Sequence, residues 1–398
     1  MKYKYWIFFF FILIASLFSC TNRNHEDDWK KLIESEALLA AEQYKLLYAN
    51  TPEDRMPKTY FSDKQEWETS STSWWTSGFF PGTLFYLYEL TGDKELLELG
   101  MDKLDILEKE QHNKRTHDLG FMLYCSFGHA DRLRPNDKFK QIMLTGSQSL
   151  SSRFNEKAGV IRSWDHGKWE FPVIIDNMMN LEFLFWASEY SGDSTFKDLS
   201  LTHADNTLKN HFRKDFSSYH VVDYDPDTGE VLNKETAQGL HDNSAWARGQ
   251  SWALYGYTVM YRHTKNEKYL DQAIGIADFI FNHPNLPEDL IPYWDFDITE
   301  EEQKHRDVSA AAINTSALLE LAKYTDEPRS TDFLNKAEYI LKNLVSDQYR
   351  AKGDEAGGFL LKNSVGHFKA NSEVDVPLTY ADYYFVEALL RYRDWYLN

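Results

Sequence analysis

The sequence predicts an all-α protein folded as an (α/α)6 barrel, six helical hairpins closed into a toroid. Three observations predict it. Five apolar, aromatic stretches open on an aspartate: Asp118 (HDLGFMLYCSFGHA), Asp176 (IDNMMNLEFLFWAS), Asp242 (HDNSAWARGQSWALYGY), Asp307 (DVSAAAINTSALLELA) and Asp375 (DVPLTYADYYFVEALL). Ser73 opens a sixth, SWWTSGFFPGTLFYLYEL. A capping residue ahead of an apolar run is a helix-start signal, and its recurrence is architectural. A short polar turn and a second, more charged amphipathic segment follow the apolar stretches, and the links onward to the next apolar stretch are long.

In chain order, residues 1–19 read as an export signal. Lys2 and Lys4 precede an apolar core from Trp6 to Phe18, and the segment closes on Leu17-Phe18-Ser19-Cys20. A small residue before cysteine resembles a bacterial lipobox with lipid attached at Cys20. The 13-residue core is short for a membrane span. Residues 20–28 form a short tether, and 29–398 read as one domain, because no Pro/Gly/Ser-rich linker interrupts them. A helix from about Trp29 to Tyr48 supplies the first outer partner.

The turns TGD (91–93), RPND (134–137), SGD (191–193), TKNE (264–267) and TDEP (325–328) then separate inner from outer helices. Gly or Asn there suits a left-handed C-cap, and Asp or Thr the next N-cap. Outer helices follow near 94–110, 137–154, 195–212, 267–282 and 330–347, with apolar residues at helical spacing such as Leu96, Leu97, Leu104 and Leu107. Long links at 49–72, 155–175, 213–241, 283–306 and 348–374 lead back inward, some alternating like short strands (YHVVDYDP). An open solenoid is the alternative. Inner helices that are apolar and nearly uncharged all round argue for enclosure instead.

The formal charge of −19 disfavours nucleic acid and anionic membrane surfaces as partners, leaving the lipid at Cys20 as the one membrane contact. A local cluster of Arg and His in a pocket still receives an acidic ligand. Aromatic content of 16%, with 12 Trp, suits both a large core and stacking on sugar rings. Cys125 lies inside an apolar stretch and reads as core. His203, His211 and His220 lack metal-ligand spacing, and no phosphate loop, dinucleotide fingerprint or nucleophile elbow is present, so neither metal nor cofactor is expected. No feature specifies an oligomeric state.

If the inner helices run parallel, their starts share one mouth. Asp118, preceded by His117, and Asp176, with Trp164 and Trp169 upstream, then face one cavity unless they only cap their helices. Two carboxylates in an aromatic pocket suit acid–base chemistry on glycans, since desolvation and mutual repulsion raise one pKa while the other group stays ionised. The helix dipole opposes that rise. In 241–257 a helix would place Asp242, Trp246 and Gly249 on one face, with Arg248 and Trp252 as i, i+4 neighbours. Arg248 suits either an internal ion pair or a carboxylate or sulfate on a ligand. Trp246 and Trp252 suit core or ligand contact, and His220 and Gln238 lie upstream in strand-like and loop segments.

Several blocks, in order, resemble the unsaturated glucuronyl hydrolases, family 88 of the glycoside hydrolases: WWTSGFFPGTLFYLYELTGD, THDLGFM, IIDNMMNLEFLFWAS, HDNSAWARGQSWALYGY and SEVDVPLTYADYYFVEALL. The resemblance implies the (α/α)6 barrel, with Asp118 and Asp176 as the catalytic pair. It further implies substrate contacts from Trp75, His117, Trp164, His220, Gln238, Trp246, Arg248 and Trp252, with Ser372 near the substrate carboxylate. The implied substrate is an unsaturated oligosaccharide left by polysaccharide lyases, whose terminal uronate carries a C4=C5 double bond. The expected reaction is hydration of that vinyl ether. Asp176 delivers a proton to C4 and activates the water that adds at C5, while ionised Asp118 orients the ring. Three rivals stand beside this reading: a rhamnogalacturonan-directed hydrolase, an inverting hydrolase of saturated glycans, and a lipid-anchored glycan-capture protein without catalysis. The expected location is membrane-anchored after export, facing the periplasm or the cell surface.

Overall fold

A computed structural model describes residues 4–397, with side chains from residue 25 onward and that of residue 302 excepted. The signal segment and Cys20 therefore lie outside the residues whose side chains are described. Among the described residues no helix is long and apolar enough to cross a membrane.

Among these residues twelve α-helices alternate between an outer and an inner ring. The outer ones are α1 (Lys4–Ala49), α3 (Lys94–Leu107), α5 (Asp137–Ser151), α7 (Ser194–Asn210), α9 (Glu267–Asn282) and α11 (Arg329–Leu344). The inner ones are α2 (Phe79–Thr91), α4 (His129–Leu133), α6 (Leu181–Ser191), α8 (Ala247–Thr264), α10 (Val308–Leu321) and α12 (Thr379–Tyr396). Each inner helix packs on the next, directly or through its lead-in turn, and α12 returns to α2, so the ring closes as an (α/α)6 barrel. Closure accounts for the composition of α10, all of whose residues are buried.

The hairpin turns work as their residues dictate. Gly92 and Gly192 end α2 and α6 in the left-handed conformation, at φ 73° and 74°. Asp93, Asn136, Asp193 and Asn266 then cap the following outer helices, each accepting a backbone N–H two residues on. Lys265 takes the left-handed position after α8 at φ 54°, although it is not glycine.

The inner helices begin later than their aspartates suggest. Only Asp307 caps, accepting the Ser309 N–H at 3.2 Å. Asp118 precedes a π-helical turn, Gly120–Gly128, that leads into α4. Asp176 lies in a 3-10 turn, Ile175–Asn180, leading into α6, and its side chain caps nothing. The expectation for 241–257 is corrected: α8 starts at Ala247, so Asp242 shares no helix face with Trp246 and Gly249. Asp242 instead accepts the Thr236 N–H at 3.0 Å. Asp375 is also misplaced as a helix start. It lies in a strand at φ 61°, and Pro377, which disfavours helical backbone in its predecessor, delays α12 to Thr379.

Among the described residues nine short strands decorate the outer-to-inner links. β1 (Met56–Phe61) pairs β2 (Glu66–Ser70), β3 (Phe154–Asn155) pairs β4 (Val160–Ile161), and β8 (Ser364–His367) pairs β9 (Ser372–Val376), all antiparallel. β5 (Pro172–Ile174), β6 (Val221–Tyr224) and β7 (Val231–Glu235) form a three-stranded sheet in that order. Since each link delivers the chain to the start of an inner helix, the hairpins stand around the mouth.

Candidate active site

A cavity of about 720 Å³ opens at the mouth, lined by residues from five outer-to-inner links and by Arg248 in the first turn of α8. Of the residues expected in the site, Trp75, His117, Asp118, Trp164, Asp176, His220, Gln238 and Arg248 line it. Trp246, Trp252 and Ser372 do not. Trp246 is buried behind the site, its ring 4.6 Å from that of His220 and 4.5 Å from the Arg248 guanidinium. Trp252 is fully buried against Phe121 and Tyr384. Both do the work of core, because an inner helix directs its first turns into the packed centre of the ring. Ser372 is half-buried on β9 opposite His367, a hairpin position outside the lining.

The two aspartates arrive on adjacent, tightly joined segments. Asn180, at the end of the Asp176 turn, accepts the Phe121 N–H at 3.1 Å from the Asp118 segment. Gly120 permits this approach: a Cβ there would lie 2.7 Å from Asn180 Oδ1 and 2.8 Å from its Cα. Thr116 donates to Asp118 Oδ2 at 2.5 Å, and His117 Nε2 lies 3.2 Å from Oδ1. The same strip bonds to the Trp164 segment, His117 N to Ser163 O at 3.1 Å. The two carboxylates thus have different surroundings, one hydrogen-bonded and part-exposed, the other enclosed.

Burial raises the Asp176 carboxyl from its ordinary value to about 7, with the negative charge of Asp118 adding to the rise. Arg248, the Asp176 backbone N–H and the Trp252 indole oppose it less strongly than desolvation acts. His117 and His220 are held below the usual histidine range, chiefly by burial, and both are neutral at neutral pH.

Arg248 resolves the choice left open by its sequence. It forms an internal ion pair with Asp307 at 3.1 Å and donates to Gly366 O at 2.7 Å and to Val365 O, tying α8 to α10 and to β8. Its Nε alone is left without a partner, and buried. The same is true of Trp164 Nε1, Asp176 Oδ2, His220 Nε2 and Trp252 Nε1. Buried polar atoms are almost always satisfied. Four of these atoms, all but Trp252 Nε1, belong to residues lining one cavity, and they mark the place where a polar ligand completes the hydrogen bonding.

A second cavity, of about 660 Å³, lies at the other end of the ring among the ends of the inner helices. It is comparable in size but chemically closed. Glu387 accepts from Tyr86, Tyr255 and Ser316 at 2.9, 3.0 and 2.5 Å, and Arg262 bridges Glu182 and Glu320. Charges that satisfy one another brace the base of the ring and leave a ligand little to bind.

Several lining residues escaped sequence reasoning: Trp74, Arg115, Thr116, His166, Lys168 and His367. Trp74 and Thr116 adjoin residues that were recognised, which is the one signal that pointed to them. His367 comes from a link whose path is set by tertiary pairing. Among the described residues no group of three or more His, Cys, Asp or Glu is arranged to hold a metal.

A ring of helical hairpins whose mouth holds a raised aspartic acid, a second carboxylate and several tryptophans along its wall defines a carbohydrate-cleaving enzyme. Sequence comparison agrees: residues 47–262 match the model for Glycosyl Hydrolase Family 88, and the chain belongs to that family. It is similar to an unsaturated glucuronyl hydrolase of Formosa agariphila, 48% identical over 320 residues, 80% of this chain and 79% of the relative. An unsaturated chondroitin disaccharide hydrolase of Streptococcus pneumoniae is 33% identical, covering 81% and 83%. Among solved structures, an unsaturated glucuronyl hydrolase specific for heparin superposes with a TM-score of 0.88 at 47% identity, covering 92% of this chain and 98% of that one. A mutant unsaturated glucuronyl hydrolase from Streptococcus agalactiae complexed with the disaccharide dGlcA-GalNAc6S superposes at 0.79, with 28% identity and coverage of 92% and 93%.

Proposed function

We propose that this glycoside hydrolase removes the nonreducing-end 4,5-unsaturated uronate from lyase-generated, glycosaminoglycan-derived oligosaccharides by hydrating the vinyl ether. The observation that carries the reading is the enclosed, raised carboxyl of Asp176 beside Asp118, in a cavity ringed by unpartnered donors. A carboxyl titrating near neutrality serves as acid and then as base in one cycle. The activity of the relatives and the solved disaccharide complex support the choice of substrate.

In this mechanism protonated Asp176 gives its proton to C4. The π electrons form the C4–H bond, and positive charge develops at C5 and the ring oxygen. The Asp176 carboxylate then takes a proton from water as the water oxygen bonds to C5, which regenerates the acid. The hemiketal opens and the glycosidic bond is lost, releasing the second sugar and a keto acid. Asp118 stabilises the developing positive charge and orients the ring, held by its hydrogen bond from Thr116. Trp75 and Trp164 offer stacking surfaces at the wall.

Loss of the conjugated double bond's ultraviolet absorbance, with unsaturated disaccharides as substrates, tests the activity. In heavy water the product acquires deuterium at C4; a product without it excludes hydration. We also propose that residues 1–19 direct export and that the domain, residues 29–398, is anchored through lipid on Cys20. The support is the charge and apolar pattern of that segment. Metabolic labelling with a fatty acid, lost in Cys20→Ala, checks it.

A further inference from the structure

His220 enters the site with its protonation already decided. Its Nδ1 accepts two backbone hydrogen bonds, from Ala237 N at 3.1 Å and Gln238 N at 3.1 Å. A nitrogen that accepts carries a lone pair, and a neutral imidazole has one such nitrogen and one N–H. With two fixed backbone donors on Nδ1, the proton resides on Nε2. Protonating Nδ1 as well would press an N–H against both donors at once. The ring has no freedom to turn away, since it is buried between Trp246, at 4.6 Å between ring centres, and Trp164, at 6.4 Å.

This N–H points at Asp176. His220 Nε2 lies 3.8 Å from Asp176 Oδ2, and both atoms are buried without a partner. That gap exceeds a hydrogen bond. It does fit an oxygen placed to the side of the line between them, at about 2.8 Å from each atom. Such an oxygen accepts from His220 and donates to Asp176.

We infer that His220 is a permanent Nε2–H donor and not a base, and that it holds the water added at C5 against Asp176. The inference rests on the hydration chemistry proposed above. One lone pair of the water takes the His220 N–H, one hydrogen faces Asp176 Oδ2, and the second lone pair is directed to C5. As the O–C5 bond forms, the hydrogen passes to Asp176 and His220 keeps its own proton throughout. A donor on the nucleophile lowers its basicity slightly. Against an oxocarbenium-like carbon, which accepts weak nucleophiles, orientation matters more. Burial and the nearby Arg248 charge, which hold His220 below the usual histidine range, reinforce the neutral state.

Two measurements test the inference. In the wild-type enzyme, nitrogen NMR of 15N-histidine protein, assigned by comparison with His220→Leu, reads the tautomer directly. The expected result is a protonated Nε2 and an unprotonated Nδ1, unchanged from pH 5 to pH 8. In kinetics, His220→Leu lowers kcat by about a hundredfold, the size expected for loss of one preorganised donor, with KM little changed. His220→Gln, which offers an amide N–H near the position of Nε2, recovers part of that loss. The alkaline limb set by Asp176 persists in both variants.

A proton on Nδ1, or a ring that titrates between pH 5 and pH 8 with kcat following it, overturns the inference. A His220→Leu variant that changes KM alone does so too. Failure of the parent reading looks different: the wild-type enzyme then leaves every unsaturated disaccharide intact, whatever the tautomer proves to be.

Discussion

Replacing Asp176 by Asn should abolish turnover and make the protein more stable at neutral pH. The native state keeps the Asp176 proton until about pH 7, whereas the unfolded chain releases it near the ordinary value of 3.8. Between those values the unfolded state binds fewer protons, so this carboxyl's contribution to stability falls as pH rises. The full effect across the interval is about 4 kcal/mol, a ceiling, because relaxation around a charged carboxylate recovers part of it. Asn has nearly the same shape and does not ionise. The stability difference, Asp176→Asn minus wild type, should therefore be near zero below the unfolded value, grow through pH 5 and 6, and level off above about 7. Urea unfolding at a series of pH values measures it, and groups distant from the substitution cancel in the difference. A difference independent of pH, or a wild type that gains on the variant as pH rises, refutes the reasoning. Turnover should drop by at least about a hundredfold, in keeping with loss of a general acid.

In the pH–rate profile, kcat/KM should fall on the alkaline side with a midpoint of about 7, as Asp176 loses its proton. In Asp118→Asn the residual activity should show that limb at lower pH, because the Asp118 charge contributes to the rise. Arg248→Met should cost about 3–5 kcal/mol in urea unfolding, since it strands the buried Asp307; adding Asp307→Asn should recover part of the loss. Gly120→Ala should cost about 1–3 kcal/mol by pushing Asn180 away from the Phe121 N–H. Because that contact joins the two aspartate segments, kcat should drop while the circular dichroism of the helices is retained.

Much of the ring was legible because its punctuation is local. Gly92, Gly192, Asp93, Asn136, Asp193 and Asn266 act within two or three residues of themselves, and the outer helices begin within a residue of where those residues place them. The inner helices were read less accurately. Asp118, Asp176, Asp242 and Asp375 have the chemistry of caps, yet each is held elsewhere by neighbours distant in sequence or by its own strand and turn, and only Asp307 caps. A side chain that caps nothing is free for a ligand, and whether it caps depends on where the next helix starts.

The site divides along the same line. That Asp118, Asp176, His220 and Arg248 belong to one mouth follows from a repeating inner–outer pattern with parallel inner helices. Three further properties are absent from any local window. Arg248 is committed to Asp307 and to the carbonyls of β8, contacts that cross 59 to 118 residues of chain. Trp246 and Trp252 pass from wall to core because ring closure decides which side of α8 faces the cavity. The titration of Asp176 and the tautomer of His220 depend on burial and on two backbone donors 17 and 18 residues further along the same link, which the β6–β7 hairpin folds back onto the imidazole ring. Helix signals are short-range because hydrogen bonds and sterics act over a few residues. Desolvation and charge act through space, and only the closed ring brings those groups together.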